Sequence, residues 1–184
     1  HANAHASRGN VRRSLGDLKG ALADYDEAIR LDPTMAAAFY NRGIAKQAAG
    51  DLKSALTDYD EAIRLDPKNA KAYANRGNAR QALGDVKGAL ADYDEALRLD
   101  PGFTLCYCNL GGTRQALGDL KGALADFDEA IRLNPAYALA HANRGALKLQ
   151  LKDLKGCIRD YEKALELSPK AWGNYAERGL IQLN

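Results

Sequence analysis

The chain has 184 residues, 46% of them hydrophobic, with 26 Lys+Arg against 24 Asp+Glu and three Cys. A net charge of +2 is too small to attract a polyanion through bulk electrostatics, so a nucleic-acid partner is not favoured, and 27% charged residues well mixed in sign argue against a solvated tail. No apolar run approaches the ~20 residues of a membrane helix, and the opening HANAHASRGN lacks the basic and apolar regions of a signal peptide, so no membrane association is expected.

Read from its start, the chain repeats itself. A first unit, 2–35, carries Gly9, Ala21, Tyr25, Ala28 and Pro33; a second, 36–69, carries Gly43, Ala55, Tyr59, Ala62 and Pro67. The third, 70–103, has Gly77, Ala89, Tyr93, Ala96 and Pro101. Phe127 replaces the tyrosine in the fourth, 104–137, and Cys157 replaces the first alanine in the fifth, 138–171. Residues 172–184 resume the pattern with Gly179, and every register steps by 34 residues. A fixed period of this size describes a solenoid of stacked supersecondary units, each too small to bury its own apolar face.

Within the third unit, AKAYANRGNARQAL is followed by Gly84-Asp85, then VKGALADYDEALRL, then Asp100-Pro101. This predicts two helices and a tight turn. Gly84 suits a helix end that needs positive φ, Asp85 caps the next helix, and Pro101 stops it. Val86, Ala89, Leu90, Tyr93, Ala96 and Leu97 recur at three- and four-residue spacing and form one apolar stripe. Gly77 and Ala89 have almost no side chain, which lets the two helices approach closely.

The period and the Gly, Ala, aromatic, Ala, Pro pattern resemble the tetratricopeptide repeat family over essentially the whole chain. The resemblance implies an all-α fold, a right-handed α-solenoid of stacked antiparallel helix pairs in a single array over 1–184. It also implies a non-catalytic scaffold for a protein or peptide partner. One departure stands out. Where the family has a large apolar residue before the small Gly, this chain has Arg8, Arg42, Arg76, Arg144 and Arg178, with only Leu110 conforming. Four residues on, where an aromatic is usual, stand Arg12, Lys46, Arg80, Arg114 and Lys148. The helical wheel turns these toward the second helix, where Asp24, Asp58, Asp92, Asp126 and Asp160 recur, and an internal ladder of Arg–carboxylate pairs is expected in preference to an RNA-binding stripe.

The opposite side of the first helices is the candidate groove, taken to be lined in the third unit by Lys71, Ala74, Asn78 and Gln81. Asn41, Asn75, Asn109 and Asn143 share one register in four consecutive units, and Gln47, Gln81 and Gln115 extend the amide-rich surface. An amide both donates and accepts, so it can hold the backbone of an extended peptide without demanding a particular side chain. Tyr40 belongs to the same candidate set. Some members of the family clasp peptide backbone with such asparagines. Others clamp a chain-terminal carboxylate; Asn10, Asn41 and Lys71 fit that pattern, but Ala6 and Asn75 stand where Lys and Arg are required. Toward the C-terminal half the groove reads as small and apolar, with Leu105, Cys108, Leu139, Ala142, Ala146 and Leu149.

His5 and His141 occupy the register of Phe39, Tyr73 and Tyr107 and read as packing substitutes. No phosphate loop, metal cluster or nucleophile–base pair is present, so neither enzyme activity, cofactor, metal nor small-molecule substrate is expected. Cys106 and Cys108 are two apart, match no zinc spacing, and with Cys157 suggest a reducing intracellular setting. The leading reading is an interaction scaffold with an extended segment in its concave groove. The alternative is a structural element that stacks end to end. Residues 172–184, with Tyr175, Leu180, Ile181 and Leu183, are expected to pack on Leu154, Ile158 and Tyr161 and to leave an apolar strip that supports weak head-to-tail self-association.

Overall fold

Gly84 has φ +86° and Asp85 accepts a hydrogen bond from the backbone N–H of Gly88, so the residue pair ends one helix and starts the next. The same device recurs along the chain. Gly16, Gly50 and Gly118 have φ between 83° and 85°, and the side chains of Asp17, Asp51, Asp119 and Asp153 each cap the helix that follows. In the last turn Lys152 takes the left-handed conformation, with φ 62°, in place of glycine.

The structure, a computed structural model, describes residues 1–169; the expected helix over 172–184 and its packing lie outside the described residues. Ten helices and no strand occur among them. One compact unit, His1–Pro101, contains α1 (Ala2–Ser14), α2 (Leu18–Leu31), α3 (Ala36–Ala48), α4 (Leu52–Leu65), α5 (Ala70–Ala82) and α6 (Val86–Leu99). A second unit begins at Gly102 and contains α7 (Thr104–Ala116), α8 (Leu120–Leu133), α9 (Ala138–Gln150) and α10 (Leu154–Leu167). In the first unit each odd-numbered helix packs on its even-numbered partner, α2 packs on α3, α4 packs on α5, and α1, α3 and α5 also touch in sequence. The second unit follows the same rule, with α8 on α9 and α7 on α9. This is the all-α architecture of stacked helix pairs that the period implied.

The core is built from small residues against one ring per pair. Tyr25, Tyr59, Tyr93 and Phe127 are fully buried, and each lies against the glycine of its partner helix. A Cβ on Gly77 would stand 2.8 Å from Tyr93 Cε1, too close for any real contact, which explains why that register admits only glycine. Ala62 and Ile63 pack on Ala72 of the following helix, and Cys108 packs with Ala130 and Ala140. Two expectations are corrected here. Ala74 and Cys108 are each only 3% exposed and belong to this core, so neither lines a groove; burial by neighbouring helices, as of Cys108 by Ala130 and Ala140, is not visible on the wheel of a single helix.

Candidate functional site

The first helices carry the basic residues, and the structure shows what most of them do. Arg42 gives Asp58 two parallel hydrogen bonds, from Nε at 2.9 Å and Nη2 at 2.7 Å, while its Nη1 reaches Asp26 on the preceding pair at 2.6 Å. Arg76 repeats the arrangement with Asp92 and Asp60, and Arg144 with Asp160 and Asp128. Lys46, Arg80 and Lys148 complete the same carboxylates from one turn later. Asp24 is held by Arg8 and Arg12, Asp126 by Arg114. All five aspartates are buried. The expected internal ladder is therefore present, and these guanidiniums join helices rather than face solvent phosphates.

Electrostatics follow from this geometry. The hydrogen bond from Arg8 holds the Asp24 carboxyl below the usual carboxylate range. Burial opposes ionisation of Asp160, but hydrogen bonds from Arg144 and Lys148 outweigh it and also leave that carboxyl depressed. Hydrogen bonding to Asp160 raises Arg144 further above its ordinary value. Arg42 and Arg76 additionally lie over the rings of Phe39 and Tyr73, 5.5 and 5.4 Å from the centroids. Where His141 replaces that ring, it is buried, its Nε2 lies 3.0 Å from the Pro135 carbonyl, and it packs as expected of a substitute.

The amide side chains occupy the other side of the first helices. Asn41, Asn75, Asn109 and Asn143 are all half-buried. Asn75 donates to the Tyr40 hydroxyl at 3.0 Å across the α3–α5 contact. Asn41 and Asn143 make no hydrogen bond within the described residues, because the positions that correspond to Tyr40 for them are Ala6 and Cys108. Asn10 accepts from Tyr25 at 2.8 Å, and Gln47 from Tyr59 at 2.8 Å. Asn78 and Gln81 compete for the single hydroxyl proton of Tyr93, at 2.8 and 2.9 Å. Gln115 donates to Gln150 at 3.0 Å. Lys71 and Leu105 are exposed, and Leu139 is half-buried.

In the first unit these residues border an open cleft of about 440 Å³, lined by Ile44, Gln47 and Ala48 of α3, Tyr59 of α4 and Asn75 of α5. Ile44 supplies an apolar wall, and Gln47 and Asn75 supply polar edges. Burial pushes the Tyr40 and Tyr59 hydroxyls above their ordinary values, so both remain protonated donors.

One residue escaped the sequence reading. Arg13 stands 34 positions before Gln47, in the register that holds Gln or Leu elsewhere, and its charge acts on both Tyr40 and Tyr59. Its Nε is buried without a hydrogen-bond partner. The available signal was that register, hidden by the adjacent Arg12 of the ladder.

The cysteines offer no reactive centre. All three are buried and none is in a disulfide, and burial pushes the Cys108 thiol up to about 12. Among the described residues no group of three His, Cys, Asp or Glu is placed to hold a metal ion, and no helix is long and apolar enough to cross a membrane.

Comparison with known proteins bears on this arrangement. The family model described as TPR repeat matches residues 9–50, 48–84 and 114–152, more than half of the chain; two described as Tetratricopeptide repeat match 70–103 and 138–171. Curated proteins give no match. Among solved structures, a thermophilic TPR protein from Thermus thermophilus, TTC0263, is similar at 22% identity and TM-score 0.80, covering 98% of this chain and all of that one. MamA 41-end from Desulfovibrio magneticus RS-1 is similar at 22% identity and TM-score 0.79, covering 91% and 95% of the two chains. YrrB, described as a TPR protein with an unusual peptide-binding site, is similar at 24% identity and TM-score 0.71, covering 97% and 92%. At these identities the likeness is one of fold.

Proposed function

This chain belongs to the tetratricopeptide repeat family, and we propose that it is a non-catalytic interaction scaffold whose first helices hold an extended peptide or partner segment. The observation that carries the reading is the amide row. Half-buried Asn41 in the first unit and Asn143 in the second have donors and acceptors with no partner among the described residues, and in the first unit Asn75 and Gln47 line an open cleft. An extended backbone presents a carbonyl and an N–H at regular intervals, and each can be met by one amide. Ile44 in the first unit, with Leu105 and Leu139 in the second, adds apolar contact for side chains. YrrB, with its peptide-binding site, shares the fold and is compatible with this use.

The ladder also supports a protein partner over RNA. The basic residues that could have tracked a phosphate backbone are committed to buried aspartates, and no alternating aromatic platform accompanies them.

The test is capture of short random peptides by the immobilised chain, compared with the Asn41→Ala/Asn75→Ala variant. Exposed or half-exposed Asn→Ala slightly favours a helix, so the variant should fold and capture less. Equal capture by the two would reject the amide row as the binding element.

A further inference from the structure

The charge on the first-helix face of the first unit is entirely of one sign. Helices α1, α3 and α5 contain no Asp or Glu; the carboxylates of this unit lie on the second helices and the turns. Arg8, Arg12, Arg42, Lys46, Arg76 and Arg80 are neutralised by reaching across to second-helix aspartates. Arg13 and Lys71 are the two basic residues of these three helices that meet no carboxylate among the described residues. Both lie toward the amide side. Lys71 is exposed one turn before Asn75 on α5, and Arg13 lies in the register of Gln47 on α1, which touches α3, the helix that lines the cleft with Ile44, Gln47 and Ala48.

A guanidinium whose Nε is withdrawn from water and unpartnered bears a desolvation cost that an anion can offset, because hydrogen bonds to charged groups are the strong ones. The cleft provides the rest of a site for a side chain of moderate length: an apolar wall at Ile44 and Ala48, the Tyr59 hydroxyl, and amides at Gln47 and Asn75 for the flanking backbone. No carboxylate of this face would repel such a guest. Building on the peptide-binding reading, we infer that the cleft between α3 and α5 receives an Asp or Glu side chain from within an extended peptide, with Arg13 as its charge partner and Lys71 as a second attraction on the same face. This differs from clamping a chain terminus, for which Ala6 and Asn75 leave two required cations absent.

The experiment uses the full 184-residue chain and random short peptides blocked at both ends by acetylation and amidation, with captured sequences read by mass spectrometry. Captured peptides should be enriched in Asp or Glu at one position by roughly tenfold, the order expected of a hydrogen bond to a charged group. Arg13→Gln should abolish the enrichment, Arg13→Lys should retain part of it, and Lys121→Gln, on the second helix α8, should leave it unchanged, each variant first shown to keep its helical circular dichroism. Peptides captured in an Asn75-dependent way without acidic enrichment, or with enrichment that survives Arg13→Gln, would overturn the Arg13 assignment and leave the groove reading standing. Capture confined to a parallel library with free C-termini would overturn it in favour of a terminal carboxylate. No capture of either library would overturn both readings.

Discussion

Arg76 allows the ladder to be weighed. Arg76→Ala removes two hydrogen bonds to Asp92, at 3.0 and 2.6 Å, and one to Asp60 at 2.6 Å. The Asp60 bond counts for little, since that side chain is 58% exposed. Asp92 is different: its side chain is 4% exposed, and stripping a partner from a buried pair costs on the order of 3–5 kcal/mol. Arg80 still reaches Asp92 Oδ2 at 2.8 Å, so roughly half of that, about 2 kcal/mol, should be lost. The fourth pair supplies a natural comparison. There Leu110, 2% exposed, occupies the arginine register, and Arg114 meets both oxygens of Asp126 at 2.7 and 2.8 Å. Arg76→Leu should therefore cost less than Arg76→Ala, about 1 kcal/mol, because an apolar side chain refills the volume and Arg80 serves the carboxylate. Urea denaturation followed by helical circular dichroism measures both. An Arg76→Ala variant within ~0.5 kcal/mol of the parent, the range of an ordinary surface change, would show that the guanidinium does not sustain the buried carboxylate.

Other variants probe the turn and the packing. Gly77→Ala places a methyl 2.8 Å from Tyr93 Cε1 and should destabilise by about 1–2 kcal/mol despite the better helix propensity of Ala, whereas Gly112→Ala, which meets nothing within 4 Å, should stabilise by about 0.5–1 kcal/mol; thermal melts of the two should shift in opposite directions. Lys152→Gly relieves a φ of 62° and should raise stability by about 1 kcal/mol in urea melts. Asp24 and Asp160 have depressed carboxyl values in the fold, so their contribution is complete above the unfolded value near 3.8 and is lost as pH falls through the lower folded values; acid titration by circular dichroism should show cooperative loss of helix there, shifted upward by Arg8→Gln.

The helix pairs and the ladder were legible in the sequence because both depend on local spacing. Gly84-Asp85 announces a turn wherever it falls, and Arg76 and Asp92 are brought together by one helix hairpin whose geometry the repeat fixes. Residues that meet across successive first helices were not. Asn75 finds Tyr40 thirty-five positions away, and that contact depends on how two hairpins stack, which the period alone does not determine. The same limit applies to Ala74 and Cys108, which a single-helix wheel places at the groove and the neighbouring helices bury. Arg13 was obscured for another reason. In a row otherwise filled by Gln and Leu it looks like part of the basic stripe, and only the pairing of Arg12 with Asp24 shows that its neighbour is left over.

The decisive observation is where a captured peptide lies. A photo-activated crosslinker attached at position 71, on the exposed end of α5, can be compared with one at the exposed Lys53 of α4 after equilibration with the captured peptide pool. If the first helices hold the peptide, adducts should form from position 71, diminish in Asn41→Ala/Asn75→Ala, and not exceed background from position 53. Adducts from position 53 equal to or exceeding those from position 71 would place the peptide on the second helices and contradict the amide groove.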